Sequence, residues 1–241
     1  MIWSVYLFAF LSIYILVLSK SGVSFRNAGQ STKEIFKYYR TYGVHMYSGT
    51  LFFAGAMTLS SIMISYFSEN NAGVGFYTLS LAISRPLALI PGVIAITWFR
   101  DFSRLKSIPA RMITATSLMT VITLLMLFIL TKPFVSFFYG ENFLPLIPLT
   151  YISGIGMALH GMAGFFSRYL EAGGSGRAVR NISIITGVTI LVLNFLLIPG
   201  MAETGAAVTL VLSGIVYIAG MLFYYLRLTG KKKIYTFGRN K

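Results

Sequence analysis

The stretch "YTLSLAISRPLALIPGVIAIT", Tyr77 to Thr97, sets the reading of the whole chain. Arg85 is its one charge, and Pro86 and Pro91 follow it. An apolar run of about 20 residues spans a hydrocarbon core roughly 30 Å thick. Arg85 falls near the middle of this run, at bilayer mid-depth. A charge there costs about 2.5–3.5 kcal/mol on insertion scales, and such a residue faces a bundle interior or water.

The surrounding chain has the same character. Of its 241 residues 56% are hydrophobic and 11% are charged, with a mean hydropathy of +0.76. Soluble domains carry roughly 25% charged residues. The expected fold class is an all-α membrane protein. There is no cysteine, so disulfides and thiolate metal sites are excluded. The net charge of +14 does not signal nucleic acid, because the basic residues sit between apolar runs and alternate by side. The opening "MIWSVYLFAFLSIYILVLSK" lacks a basic start and a small-residue cleavage site. It reads as a spanning helix, not an export signal.

Apolar runs cover about 2–19, 44–67, 74–98, 112–131, 145–170, 181–199 and 204–226. Backbone groups in lipid must be satisfied internally, so each run is expected to be a transmembrane helix, about seven in all. The ten-residue alternation of a membrane β-barrel is missing. Between the runs, eighteen of the 20 Lys and Arg residues fall on one set of connections. Only Lys132 falls on the other set, which carries Glu69, Glu141 and Glu203. Positive loops stay in the cytoplasm. The C-terminus is therefore expected inside and Met1 outside.

The organisation expected is a transmembrane helix at 1–19, a cytoplasmic loop with an interfacial helix at 20–43, a six-helix bundle at 44–226, and a basic cytoplasmic tail at 227–241. In the loop, Ser31 and Glu34 have capping-box spacing. Ile35, Tyr39 and Tyr42 share one face and Lys33, Lys37 and Arg40 the other, as in a helix lying among headgroups.

Several runs carry small or polar residues at helical spacing. The stripe is Tyr47, Thr50, Ala54, Thr58, Ser61 and Ser65 in the second run, and Thr78, Ala82, Arg85, Ala88 and Gly92 in the third. The fifth carries Thr150, Ser153, Met157, His160, Gly164, Ser167 and Glu171, and the seventh Thr209, Ser213, Tyr217, Gly220 and Tyr224. Such stripes serve helix packing or line a hydrated cavity. Arg85 favours a cavity, since none of the six acids lies at its depth. It must find water, carbonyls, another chain or an anionic ligand. The candidate substrate-binding residues are Arg85, His160, Thr78, Tyr47 and Thr58. Asn194, deep in the sixth run, is expected to join helices. No catalytic residue, metal ligand or cofactor is expected.

The segments "YGENF", "YLEAGGSGR" and the series Asn194, Ile198, Pro199, Gly205, Ala206, Ala207 occur in an order that resembles a known family. So does "GFYTLSLAISRPLALIPGVIAITWFRDFSRL". Over roughly residues 32–226 the chain is similar to the C-terminal half of Wzx-like polysaccharide flippases. These are the O-antigen and capsule branch of the multidrug/oligosaccharidyl-lipid/polysaccharide superfamily. One departure is Ala202, where the family often has glycine in a turn.

The resemblance implies two helical bundles around a cationic cavity in a bacterial cytoplasmic membrane. It implies transport of a polyprenyl-pyrophosphate-linked oligosaccharide for surface polysaccharide biosynthesis. This chain would then be half of the fold, completed by a missing N-terminal half or another chain. It also implies a role for Arg85 at the pyrophosphate, since a guanidinium grips phosphate through several donors. The alternatives are an inactive or scaffold fragment, a multidrug exporter, and a membrane transferase. An exporter of that superfamily needs an intramembrane acid. A transferase needs a base or metal cluster that two His and six acids do not offer.

Overall fold

The C-terminal helix α8, Gly176–Phe237, runs for 62 residues. At 1.5 Å per residue that is about 90 Å, three times a hydrocarbon core. It is two crossings joined by a kink. Ala202 has φ 46° and ψ −125°, and Pro199 precedes it by three residues. Gly205 closes this turn: a Cβ there would stand 2.6 Å from the Leu197 carbonyl oxygen. The expected runs 181–199 and 204–226 are these two halves.

The computed structural model describes residues 2–20, 28–67 and 72–237. They fall into two units, 1–41 and 42–241. In the first, α1 spans Ile2–Lys20 and is apolar over Tyr6–Val17. Helix α2 spans Ala28–Tyr38 and is followed by a turn of π-helix at Tyr39–Gly43. It begins three residues before Ser31, so Ser31 and Glu34 lie inside the helix and do not form the expected cap.

The second unit contains α3 (Val44–Phe67), α4 (Ala72–Thr97), the single turn α5 (Phe99–Phe102), α6 (Ala110–Phe138), α7 (Leu146–Ala172) and α8. Among the described residues no strand occurs and five helices are long and apolar enough to cross a membrane, the last of them the double-length α8. The protein is an all-α, multi-pass membrane protein.

Two boundaries differ from expectation. Helix α6 continues seven residues past the apolar run, through Lys132 and Pro133 to Phe138. Its 29 residues reach about 43 Å, so its end projects beyond the core, where polar residues cost little. The tail is helical as far as Phe237. The Glu69 loop at 68–71 and the last basic residues, Arg239 and Lys241, lie outside the described residues.

Helix α7 is the centre of this unit, packed by α4, α6 and α8. It runs parallel to α4: Ser80 Oγ lies 3.0 Å from Ser153 Oγ, and further along Gly161 meets Leu87 and Ala88. A Cβ on Gly161 would stand 2.7 Å from the Leu87 carbonyl oxygen. Pro91 has no N–H to offer that carbonyl, and the bare Gly161 backbone covers it. Small residues let membrane helices approach this closely. Asn194 joins α8 to α3, its Nδ2 donating to Ser60 Oγ at 2.8 Å. At one end of the bundle Tyr169 donates to the Lys106 carbonyl at 2.7 Å, and Phe102 packs edge-on against Phe165 and Tyr169.

Candidate functional site

An open groove of about 350 Å3 lies between α3, α4, α7 and the second half of α8. Phe53 and Met57 form its α3 wall and Ala88, Leu89 and Gly92 its α4 wall; His160, Gly164 and Arg168 come from α7 and Tyr217 from α8. Residues 160, 164 and 168 repeat every four positions, which places them on one face of α7.

His160 forms the middle of the groove. Its ring is 9% exposed. It sits 5.7 Å from the Phe53 ring and 5.6 Å from Tyr217, while Phe53 and Tyr217 stack at 5.5 Å. His160 Nε2 lies 3.2 Å from Ser213 Oγ. Ser213 donates its own proton to the Leu210 carbonyl, so its oxygen is left to accept from Nε2–H. Nδ1 is then the acceptor of the neutral ring. Nδ1 is buried and has no hydrogen-bond partner.

Arg85 stands one turn along α4 from the groove lining. It shares a face with Ala88, Leu89 and Gly92, three, four and seven residues away. It is exposed, and among the described residues no hydrogen bond or ion pair engages its guanidinium. Arg85 is the fourteenth residue of the 26 in α4, so it is halfway along the span. The Gly161–Ala88 contact sets His160 at nearly the same level.

Of the five candidates from sequence, His160 alone lines the groove, with Arg85 at its edge. Thr78 lies two turns further along the Arg85 face. Its hydroxyl donates to the Val74 and Gly75 carbonyls. Tyr47 and Thr58 occupy an exposed flank of α3, about a third of a turn from the Phe53–Met57 wall. Thr58 donates to the Ala54 carbonyl at 3.0 Å. These three are not brought into the groove. The α3 wall is apolar, and the polar residues of α3 lie on the neighbouring stripe. The stripes also differ in burial. Those of α7 and the second half of α8 are mostly packed inside, whereas those of α3 and α4 are largely exposed.

Arg168 was missed. By sequence it counts as one of the cytoplasmic basic residues, yet it lines the groove. Its Nη1 donates to Glu171 Oε2 at 2.7 Å, with side-chain exposures of 43% for Arg168 and 9% for Glu171. Ser167 donates to the other carboxylate oxygen at 2.9 Å. The four-residue spacing from His160 through Gly164 was the available signal.

A second, almost wholly apolar groove of about 580 Å3 separates α4 from α6. Ala82 and Pro86 line it on one side, and Met126, Leu130 and Phe134 on the other. Its Thr123 and Thr131 hydroxyls are consumed by carbonyls of their own helix, so it offers apolar contact.

No family model, no curated protein and no solved structure matches this chain.

Proposed function

We propose that this chain is one bundle of a transporter that carries a lipid-linked oligosaccharide across the bacterial cytoplasmic membrane, with its C-terminus inside. The observation that carries the reading is Arg85: a permanent cation halfway along a spanning helix, exposed, unpartnered, and continuous with a groove. An unpaired charge at that depth calls for an anionic ligand or water. A diphosphate joined to an apolar chain supplies both the charge and a reason to be at mid-bilayer. The resemblance to polysaccharide flippases, carried by the segments around Arg85, Gly140 and Asn194, points to the same substrate class.

The exposed stripes of α3 and α4 support a second bundle as partner. Tyr47, Ala54, Thr58, Thr78, Ala82 and Arg85 all lie at the surface of this unit. In a two-bundle transporter these faces line the shared cavity and meet water rather than lipid. The multidrug-exporter reading fares less well. The acid nearest the groove, Glu171, is already engaged by Arg168 and Ser167.

The test is Arg85→Ala and Arg85→Lys, introduced at the native locus so that any partner is present. Surface polysaccharide and membrane abundance of the protein are measured together. Lost hydrogen bonds to a charged group are worth about 1.5–3 kcal/mol each. Arg85→Ala is therefore expected to lower transport roughly tenfold or more at normal abundance, while Arg85→Lys keeps part of it. Full transport by Arg85→Ala refutes the assignment.

A further inference from the structure

Arg168 is a half-exposed guanidinium at the far end of the groove that holds His160. One of its five N–H donors is engaged by Glu171, and no second hydrogen bond or ion pair for it is found among the described residues. The acid that holds it is itself held, since Ser167 donates to the second oxygen of Glu171. The fork is thus fixed in direction while most of its donors remain open. A planar fork held in direction with open donors is able to grip a phosphate group through two of them at once.

Its position relates it to Arg85. Helices α4 and α7 are parallel and in contact at Ala88 and Gly161. Arg85 lies three residues before that contact and Arg168 seven residues after it. At 1.5 Å per residue the two cations are about 15 Å apart along the bundle. The groove occupies the space between these levels.

We propose that Arg168 is a second anion station, which takes a phosphate-class group at the open end of the groove before or after Arg85 does. Glu171 and Ser167 are positioning residues that aim the fork. As one stage of a path, the station rests on the transport reading above. Anion binding at Arg168 does not depend on it. The phosphate can come from an ordinary anionic lipid headgroup or from a soluble diphosphate, and two probes separate these sources.

The full chain, in phosphatidylcholine nanodiscs, is titrated with inorganic pyrophosphate by calorimetry. In parallel, native mass spectrometry measures retention of phosphatidylglycerol against phosphatidylcholine. Arg168→Gln keeps a hydrogen-bond donor toward Glu171 and removes the charge. Measured in an Arg85→Ala background, so that the mid-membrane cation adds no binding, it is expected to weaken the bound probe about tenfold or more, with Arg168→Lys intermediate. Binding of pyrophosphate supports a soluble anion, and binding of phosphatidylglycerol alone supports a lipid headgroup.

Equal binding of both probes by the parent chain and Arg168→Gln overturns the station, as does absence of binding by the parent chain. If Arg168→Gln fails to fold, the Arg168→Gln/Glu171→Gln pair replaces it. That pair removes both charges together, and binding at parental strength by it overturns the proposal equally. Failure of the transport reading would appear separately, as normal transport by Arg85→Ala with Arg168-dependent binding intact.

Discussion

Arg85 and Asn194 are both polar residues inside spanning helices, and the structure gives them opposite circumstances. Arg85 is exposed and unpartnered, whereas Asn194 is fully buried and bonded to Ser60 through Nδ2. Its Oδ1 is left without a partner. The pair therefore has an asymmetric energetic role. Asn194→Leu, close in shape, loses one hydrogen bond and also removes the orphaned oxygen. Ser60→Ala deletes a smaller group yet leaves both ends of the Asn194 amide unsatisfied. An unsatisfied buried polar group costs about 1–3 kcal/mol, while interhelical hydrogen bonds in membranes average only about 0.6 kcal/mol. Ser60→Ala is thus expected to destabilise more than Asn194→Leu, by roughly 1–2 kcal/mol. Unfolding titrations in mixed detergent micelles measure both; the reverse order would show that the packing change at residue 194 outweighs the unsatisfied amide.

At the scale of elements, the kink in α8 depends on one residue in an unfavourable conformation. Ala202 is the only non-glycine with positive φ among the described residues. Its φ/ψ pair belongs to a region essentially reserved for glycine, with a strain of about 1–3 kcal/mol. Glycine at 202 gains that strain back and loses about 0.5–1 kcal/mol to the freer unfolded chain. Ala202→Gly is expected to stabilise by roughly 0.5–2 kcal/mol, seen as a higher unfolding temperature with transport unchanged. A lower temperature would mean that the Ala202 methyl packs in a way that offsets its backbone. The departure from glycine was legible in the sequence; the strain it implies required the backbone. The same division holds elsewhere. Long apolar runs announce helices because lipid leaves the backbone no other option. Helix ends beyond the hydrocarbon carry no such constraint, so Lys132 and Pro133 looked like loop residues. The groove was harder still. Phe53 and Met57 look like any lipid-facing residues, and Arg168 reads as a loop charge. Only the packing of α3, α4, α7 and α8 brings them to one place.

For the whole molecule the question is which way it faces. A second bundle against α3 and α4 would complete a cavity whichever way the chain is inserted, but the direction decides which arginine meets the substrate first. Basic residues Arg100, Arg104, Lys106 and Arg111 cluster between α4 and α6, while Glu141 lies between α6 and α7 with only Lys132 near it. Retention of positive loops leads to the expectation that the first cluster is cytoplasmic. Arg168 is at the end of α7 that Tyr169 ties to Lys106, so on that expectation it would lie toward the cytoplasm, with Arg85 midway across. If the proposed transport reading holds, a lipid-linked substrate entering from the cytoplasmic side would reach Arg168 before Arg85. The chain has no cysteine, so single cysteines can be introduced without background. Ser103 and Glu141 are both exposed in the described structure. With a membrane-impermeant maleimide on intact cells, Glu141→Cys is expected to label and Ser103→Cys to label only after permeabilisation. Labelling in the opposite pattern would invert the molecule, place Arg168 on the outer side, and make it the station from which the anion leaves.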